Sequence, residues 1–335
     1  MGTMQVTASN VIFLSALAAV VPAACYSAVI YWFDRYEKEP LWLLTATFFW
    51  GAVPSVILAL IVSLAFSAPL QLISGPAATN TIMAVLVAPP VEETVKAIAL
   101  VAIFVLLRHE VDSLLDGIIY GAMVGMGFAM VENIFYFLTV FYEEGSGAWG
   151  ATVFLRAIVF GLNHSLFTSA TGLGLAIGRF SENPVFRYGA PVAGWGAAVT
   201  LHAIHNLGAS SGGLLCFILP LFDWGGVLLL LLIIAWALLQ ERRWIRVYLK
   251  EEIDHGTLSA AQYATACSTR RRLAHRLELL FRRGPAAYLV ATRFYHQCSE
   301  LAYKKHHYVL WQEQPTEQRT LELRDNLRFL SRELQ

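Results

Sequence analysis

Seven long apolar runs, joined by short connections, constrain the fold of this 335-residue chain more than any other feature. A helix needs about 20 mostly apolar residues to cross the hydrocarbon core of a bilayer. In lipid, helices and closed barrels are the structures that satisfy every backbone hydrogen bond. The sequence therefore predicts an all-α polytopic membrane protein with about seven transmembrane helices. The runs lie at about 10–33, 41–67, 78–107, 116–142, 149–178, 188–209 and 212–240.

Positive charges occur in every second connection between these runs. Arg and Lys follow the first, third, fifth and seventh runs, whereas the second, fourth and sixth connections contain neither. Cytoplasmic loops carry an excess of Lys and Arg. The alternation therefore predicts seven crossings, with the N-terminus outside and the C-terminus inside. An eighth crossing, made by splitting the third run, would spoil this alternation.

Charge is distributed unevenly between the two parts of the chain. Only seven of its 24 Lys and Arg precede residue 241, and 57% of the whole chain is hydrophobic. We therefore expect a transmembrane domain over 1–240 and a cytosolic helical domain over 241–335. In the second domain, an apolar stripe at helical spacing predicts an amphipathic helix. The stripe consists of Leu323, Leu327, Leu330 and Leu334.

The four cysteines have neither metal-binding spacing nor the pattern of a disulfide framework, so the cytosolic domain is expected to be reduced. Nothing in the sequence predicts nucleic-acid binding. The lipid bilayer is an expected partner, and no cytosolic partner of the C-terminal domain can be named.

Four of the predicted spans contain side chains that hydrocarbon disfavours by several kcal/mol each. They are Glu92, Glu93 and Lys96 in the third run, Glu132 and Asn133 in the fourth, His164 in the fifth, and His202, His205 and Asn206 in the sixth. A lone His or Asn in a span is more often an interhelical hydrogen bond. Burying a Glu-Glu-Lys cluster for packing alone is unfavourable. Together these residues indicate one shared polar site.

Counted from the cytoplasmic ends of their spans, the polar side chains fall at one level. Glu93, Glu132, His164 and His202 lie 14 to 16 residues from those ends. At ~1.5 Å per residue this is roughly 21–24 Å. Two of the helices run outward and two inward, so the equal depth predicts a single site in the outer half of the hydrocarbon core.

Pro89 and Pro90 interrupt the third run and predict a break in its helix. A half-helix near 78–88 would be followed by a fresh helix from about Pro90. Glu92 and Glu93 would then lie in a first helical turn, where the helix dipole favours negative charge. Because Lys96 follows Glu92 by four residues, the spacing favours Glu92 as its ion-pair partner and Glu93 as a general base.

Carboxylate, imidazole and amide groups at one dry site are typical of water activation. Either a bound metal or a carboxylate–imidazole pair could activate the water, although the metalloprotease motif HExxH is absent from the sequence. Asn206 or Asn133 could donate to a developing oxyanion. Glycines in the spans are expected to allow close helix packing rather than to bind a nucleotide. They are Gly121, Gly125, Gly127, Gly172, Gly174 and Gly178.

Four motifs, in this order and in separate spans, resemble the PrsW family of intramembrane proteases, which is related to the CAAX prenyl endopeptidases and the Abi proteins. The motifs are Glu92-Glu93-x-x-Lys96, Phe128-Ala129-x-x-Glu132-Asn133, Phe160-x-x-x-His164 and His202-x-x-x-Asn206. The connection from Asp34 to Pro40 is also similar to PrsW proteins. The resemblance covers roughly residues 10–240 and does not extend to the C-terminal domain.

The resemblance implies a multi-pass peptidase of a bacterial or archaeal plasma membrane. Its substrate would be a membrane-anchored protein, for example a regulator such as an anti-sigma factor. By analogy with the prenyl endopeptidases, Glu92 and His164 would activate water, and His202 and Asn206 would form the oxyanion site. The analogy thus favours Glu92 as the base, whereas the spacing favours Glu93.

The family's usual classification also implies a divalent metal, with zinc as the expected ion. His164, His202 and Glu93 are the expected ligands, and a metal-free glutamate mechanism is the alternative. Two other functions stay open. The same buried carboxylates could serve a proton- or ion-coupled transporter, although no inverted repeat is visible, and the chain could be a non-catalytic scaffold or sensor.

Overall fold

The computed structural model describes residues 8–36, 38–211, 214–311 and 314–334, and every regular element in these ranges is helical. The chain divides into two compact units. The first consists of Met1–Phe33 and Glu39–Ile234, and the second of Asp34–Lys38 and Ala235–Gln335. The boundary between the units falls inside a long helix, Leu214–Tyr248.

The first unit contains nine α-helices and the start of a tenth. They are α1 (Ala8–Phe33), α2 (Leu41–Trp50), α3 (Val56–Ser74), α4 (Pro76–Ile82), α5 (Ala88–Leu106), α6 (Leu114–Glu144), α7 (Ser146–Val153), α8 (Asn163–Arg179), α9 (Pro184–Ser211) and α10 (Leu214–Tyr248). Three π-helical turns interrupt this series at Gly51–Ser55, Met83–Val87 and Phe154–Val159. A short 3₁₀-helix, Arg108–Glu110, precedes α6.

Five helical stretches of the described chain are long and apolar enough to cross a membrane. They are Ser9–Phe33, Leu41–Ser74, Leu114–Glu144, Ser146–Arg179 and Ile218–Asp254. Each coincides with one of the seven predicted runs. The other two runs, 78–107 and 188–209, are helical as well, but the polar residues that they carry make them less apolar. The count of seven crossings and the orientation of the chain stay predictions.

The expected break at Pro89 and Pro90 is wrong. A π-helical turn, Met83–Val87, joins α4 to α5, and α5 begins at Ala88 with proline in its first turn. Proline is tolerated there because the first N–H groups of a helix have no intrahelical acceptor. Glu92 and Glu93 lie beyond the first turn of α5, so the expected stabilisation by its N-terminus is also wrong.

Close backbone contact between α6 and α8 is made possible by glycine. A Cβ atom at Gly125 would lie 2.2 Å from the carbonyl oxygen of His164, and one at Gly121 would lie 2.6 Å from that of Thr168. Comparable obstructions occur at Gly117, Gly127, Gly172, Gly174 and Gly178. The prediction that these glycines serve close packing is confirmed, and the contact at Gly125 holds His164 against α6.

In its described part the second unit contains five further helices, α11 (Glu251–Asp254), α12 (Ala260–Ala266), α13 (Thr269–Arg283), α14 (Pro285–Trp311) and α15 (Gln314–Glu333). The last four contribute residues to one apolar core. Leu323, Leu327 and Leu330 are buried in this core and Leu334 packs against it, which confirms the predicted stripe. Cys298 is a free cysteine in the same core. Burial raises the pKa of its thiol to about 12, so the thiol stays protonated at neutral pH.

Candidate active site

Four helices of the first unit bring the predicted polar residues together. Helix α5 carries Glu92, Glu93 and Lys96, and α6 carries Glu132 and Asn133. His164 is the second residue of α8, and α9 carries His202, His205 and Asn206. Six of these side chains form one connected network of contacts: Glu92, Glu93, Lys96, Glu132, His164 and His202.

Glu93 lies at the centre of this network, and both of its carboxylate oxygens have partners. Its Oε1 lies 2.7 Å from Lys96 Nζ and 3.0 Å from His202 Nδ1. The Thr168 hydroxyl donates to Oε2 at 3.0 Å. The Glu93 and Lys96 side chains have no exposed surface. Glu93 is therefore committed to holding its neighbours.

The expected pairing of Glu92 with Lys96 is the reverse of what the structure shows. Lys96 Nζ lies 3.7 Å from Glu92 Oε2, 1 Å farther than from Glu93 Oε1. Both helical spacings permit an ion pair. The closer pair forms at Glu93 because Thr168 and His202, on two other helices, hold its carboxylate. Glu92 is left as the less engaged carboxylate.

Lys96 also fixes the tautomer of His164. Its ammonium lies 3.1 Å from His164 Nδ1, and an ammonium group can only donate. Nδ1 is therefore the acceptor and the ring proton lies on Nε2, which donates to Glu132 Oε2 at 2.9 Å. The Lys96 ammonium also lies 4.0 Å from the centroid of the Phe128 ring. Both nitrogens of His164 are thus engaged.

Arg156 contacts both predicted site residues of α6, Glu132 and Asn133. Its Nη2 lies 2.5 Å from Glu132 Oε2, and its Nε donates to Asn133 Oδ1 at 2.9 Å. The guanidinium lies over the Tyr136 ring, 3.7 Å from the ring centroid. Arg156 therefore neutralises Glu132 and occupies the Asn133 carbonyl. In this arrangement the Glu132 carboxylate orients His164.

A cavity of about 290 Å³ opens beside this network. Its polar lining consists of Glu92, Glu132, Asn133, Arg156, Asn163, His164, His205, Asn206 and Ser210. Glu92 Oε2 is buried and has no hydrogen-bond partner among the described residues. Asn206 reaches the cavity while its amide donates to the Ala84 carbonyl oxygen at 2.8 Å. Glu92 is therefore a cavity carboxylate with a buried oxygen that is not hydrogen-bonded to any described residue.

Two of the π-helical turns lie next to this site. A π turn inserts one extra residue into a helix and is frequent at functional sites. Met83–Val87 contains Ala84, whose carbonyl oxygen holds Asn206. Phe154–Val159 contains Arg156 and ends shortly before α8, which begins with Asn163 and His164. The irregular turns thus help to set the positions of Arg156, His164 and Asn206.

Sequence reasoning missed Asp223 and Asn163. His205 Nδ1 lies 2.8 Å from Asp223 Oδ2, and Asn163 Nδ2 donates to the same oxygen at 3.0 Å. Asp223 is buried in α10, within the seventh apolar run. A carboxylate within a predicted span was the signal that could have identified it, by the same reasoning that identified Glu92 and Glu93.

Glu92, His164 and His202 form a candidate metal-binding group. Each offers one ligand atom, and the three atoms lie within 4.8 Å of one another. A carboxylate oxygen and two imidazole nitrogens are donors that zinc uses. The Oε2 atom of Glu92 is not hydrogen-bonded. His202 Nδ1 is hydrogen-bonded to Glu93, and metal-bound histidines often have such a carboxylate partner.

The donor set therefore fits a divalent metal, with Glu92 in the place that the sequence reasoning assigned to Glu93. Glu93 has no free oxygen to offer. His164 fits only if one of its two present contacts, to Lys96 or to Glu132, is released.

Comparison with known proteins covers the part of the first unit that begins at Glu39. The family model described as "PrsW family intramembrane metalloprotease" matches residues 39–239. The chain is 31% identical to Protease PrsW of Geobacillus kaustophilus over 164 residues, which is 49% of this chain and 66% of the relative. It is 32% identical to Protease PrsW of Clostridioides difficile over 167 residues, which is 50% of this chain and 67% of the relative.

A third relative, Protease PrsW of Bacillus subtilis, is 29% identical over 166 residues, which is 50% of this chain and 69% of the relative. The chain thus spans just under two thirds of the Geobacillus protein and about two thirds of the other two. No solved structure matches the chain.

Proposed function

This chain belongs to the PrsW family of intramembrane metalloproteases, and we propose that it hydrolyses a peptide bond of a membrane-anchored protein at the cavity beside Glu92. Membership of the family implies a peptidase, and the metallo type is the family's designation. The observation that carries the proposal is the Glu92 carboxylate, buried at a polar cavity with an oxygen that has no hydrogen-bond partner among the described residues.

Glu92 is the proposed general base. Its Oε2 would accept a proton from water while the water oxygen forms a bond to the peptide carbonyl carbon. Glu93 is unsuited to this step because Lys96, His202 and Thr168 occupy its oxygens. In other hydrolases, too, two carboxylates in one site have different surroundings and therefore different catalytic roles.

His202 and Asn206 would stabilise the developing oxyanion. His202 is held at Nδ1 by Glu93 and stacks on Phe167, with ring centroids 5.1 Å apart, and its Nε2, when protonated, would donate to the oxyanion. His164 has both nitrogens engaged, by Lys96 and by Glu132, so its role would be to hold these groups in place. Asn206 uses one amide hydrogen on Ala84, and its second hydrogen is available to a bound substrate. Donors positioned in advance stabilise a transition state because they need little reorganisation.

In the alternative that uses a divalent metal, for which zinc is the expected ion, Glu92, His164 and His202 would hold the ion, and Glu92 would then be a ligand rather than the general base. When bound, such an ion polarises a carbonyl group and lowers the pKa of a bound water. Lys96 would then help to orient Glu93 and the histidines, because it contacts both Glu93 and His164.

The expected setting is the membrane of a bacterium, since the relatives described above are bacterial proteins. We propose seven crossings with the N-terminus outside, which would place the cavity in the outer half of the membrane. A single-span regulator, such as an anti-sigma factor, is the proposed class of substrate. The alternative of an ion-coupled transporter is not favoured, because the family comparison points to a protease.

Cleavage of a single-span reporter protein in proteoliposomes tests the proposal. Glu92→Gln keeps the shape of the side chain and removes the base, so we expect the cleavage rate to fall by about 100-fold or more. Glu143→Gln, an exposed carboxylate at the end of α6, is the matched control and should cleave at the wild-type rate. Wild-type activity in the Glu92→Gln variant would contradict the proposal.

Elemental analysis of the same preparations tests the metal. We expect about one ion per chain in the wild-type protein and a clear loss in His202→Gln. A content near zero with full activity would leave the metal-free glutamate mechanism.

A further inference from the structure

A second acid–imidazole pair, separate from the network around Glu93, lies against the same cavity. It consists of His205 on α9 and Asp223 on α10. Their contact, between His205 Nδ1 and Asp223 Oδ2, is 2.8 Å long, and the Asp223 side chain is only 1% exposed. His205 lines the cavity. Asp223 lies outside the four motifs of the family resemblance, and His205 occupies an unspecified position of the last motif.

The contacts of the pair determine which nitrogen of His205 can face a substrate. Asp223 Oδ2 also accepts a hydrogen bond from Asn163 Nδ2 at 3.0 Å. Asn163 Nδ2 lies 3.0 Å from His205 Nδ1 as well, but the Asp223 carboxylate is nearer to Nδ1 and can only accept. His205 Nδ1 therefore carries a proton and donates it to Asp223, and Asn163 donates to the same oxygen. Nε2 is then the remaining nitrogen, and no described residue forms a hydrogen bond with it. A substrate in the cavity is a partner for that atom.

Aromatic rings restrict the orientation of this imidazole. The Phe160 ring lies edge-on to it at a centroid distance of 5.1 Å, and the Phe167 ring lies 6.1 Å away. Phe167 also stacks on His202, so one phenyl ring contacts both imidazoles. The two phenyl rings and Asp223 thus hold His205 in position, and such positioning of a reacting group contributes to catalysis.

We propose that His205 donates the proton that the leaving peptide nitrogen requires, and that Asp223 is the positioning residue that keeps Nε2 directed at the cavity. This inference rests on the proposed function. The imidazolium would give its Nε2 proton to the nitrogen as the carbon–nitrogen bond breaks, which releases a neutral amine. The proton that Glu92 took from water would then return to His205 through water in the cavity, so that the cycle leaves no net change in protons.

A purely structural pair is a weaker explanation. An interhelical hydrogen bond in a membrane protein contributes little to stability on average. A neutral asparagine could make that bond without the cost of burying a carboxylate. Asp223 Oδ1 is also buried with no hydrogen-bond partner among the described residues. Contacts with the described residues therefore satisfy only one of the two carboxylate oxygens.

The experiment compares an amide bond with an ester bond at the cleaved position of one single-span reporter peptide. An amide nitrogen must be protonated before it leaves, whereas the alkoxide of an ester is a far better leaving group. His205→Gln should therefore slow amide cleavage by about 100-fold or more but ester cleavage by less than about tenfold. Asp223→Asn should change the ratio of the two rates in the same direction, because an amide in place of the carboxylate can donate to Nδ1 and so favours the wrong tautomer of the imidazole.

His109→Gln, an exposed histidine outside the cavity, is the control and should change neither rate. Equal slowing of both substrates in His205→Gln and Asp223→Asn would show a structural role and overturn the inference. Unchanged rates with both substrates would overturn it as well. If the wild-type protein cleaves neither substrate, the proposed function itself fails. If the wild-type protein cleaves both and the two variants leave the amide-to-ester ratio unchanged, only this inference fails.

Discussion

At the scale of single residues, Glu92 and Glu93 are neighbours in sequence with different surroundings. Adjacent residues on a helix point about 100° apart. That rotation turns Glu93 into a fully buried network and Glu92 to a cavity. The spacing predicted that the two would differ and named Glu92 as the ion-pair partner of Lys96, whereas Lys96 lies closer to Glu93. The family resemblance favoured Glu92 as the base. Thr168 and His202 determine the assignment, and their positions depend on the packing of α8 and α9.

Lys96→Met tests the buried ion pair. The substitution leaves Glu93 charged and buried without its ammonium partner, and loss of one member of such a pair typically costs about 3–5 kcal/mol. We expect a lower free energy of unfolding, measured by denaturant titration in detergent. Adding Glu93→Gln to Lys96→Met removes the unpaired charge and should recover part of the loss. The contrary result is a double variant whose free energy of unfolding lies below that of Lys96→Met by the same amount that Glu93→Gln costs in the wild-type background. That result would show that the two residues are not coupled.

The residues that could be predicted at this scale are those that hydrocarbon disfavours. The sequence identified Glu92, Lys96, His164 and His202, because an ionisable group in a membrane span is costly and usually has a functional or pairing role. Thr168 was not, because its hydroxyl is common in membrane helices and gives no such signal. Asn163 is a weak signal alone, and its role follows only from the contact with Asp223.

At the scale of helices, the site depends on how closely α6 approaches α8. Gly117, Gly121 and Gly125 recur at intervals of four residues, so they form one face of α6. This face lies against the backbone of α8 and brings Glu132 within hydrogen-bond distance of His164. The sequence predicted close packing at Gly121 and Gly125, and Gly117 was not among the predicted positions. It did not predict the partner helix, since spacing within one helix carries no information about its neighbour.

Gly125→Ala tests this contact. The added methyl group would lie 2.2 Å from the His164 carbonyl oxygen, so α8 must move away from α6. We expect a destabilisation of about 1–3 kcal/mol and a loss of cleavage activity, because His164 would move away from Glu132. Gly196→Ala is the matched control: a Cβ there meets nothing within 4 Å, so stability and activity should be unchanged. Equal effects of the two substitutions would show that the α6–α8 contact does not set the site.

The prolines of the third run illustrate what a pattern cannot resolve. Pro89 and Pro90 indicated an irregularity, and the structure has one, but as a π-helical turn at Met83–Val87 rather than as a break. Proline at the start of α5 is compatible with a continuing helix. The position of the π turn depends on tertiary contacts such as that between Asn206 and Ala84.

At the scale of the whole molecule, length and apolarity identified an all-helical membrane protein, and four short motifs identified its family. Both expectations are confirmed, the first by the helical structure of the described residues and the second by the match over residues 39–239. Five of the seven predicted runs satisfy the length and composition of a span. The other two runs contain Glu92 and His202. Polar residues that form a site make these two helices less apolar, so they do not satisfy the same criteria.

The central claim is that a substrate's peptide bond lies in the cavity beside Glu92, and disulfide cross-linking tests it most directly. Ser210 lines the cavity, whereas Leu229 on α10 is an exposed apolar residue that does not. In a Glu92→Gln background whose four native cysteines are replaced by alanine, Ser210→Cys should cross-link to reporter cysteines next to the cleaved bond, and Leu229→Cys should not. Cross-links from Leu229→Cys alone, or cross-links from Ser210→Cys that show no preference for that bond, would contradict the claim.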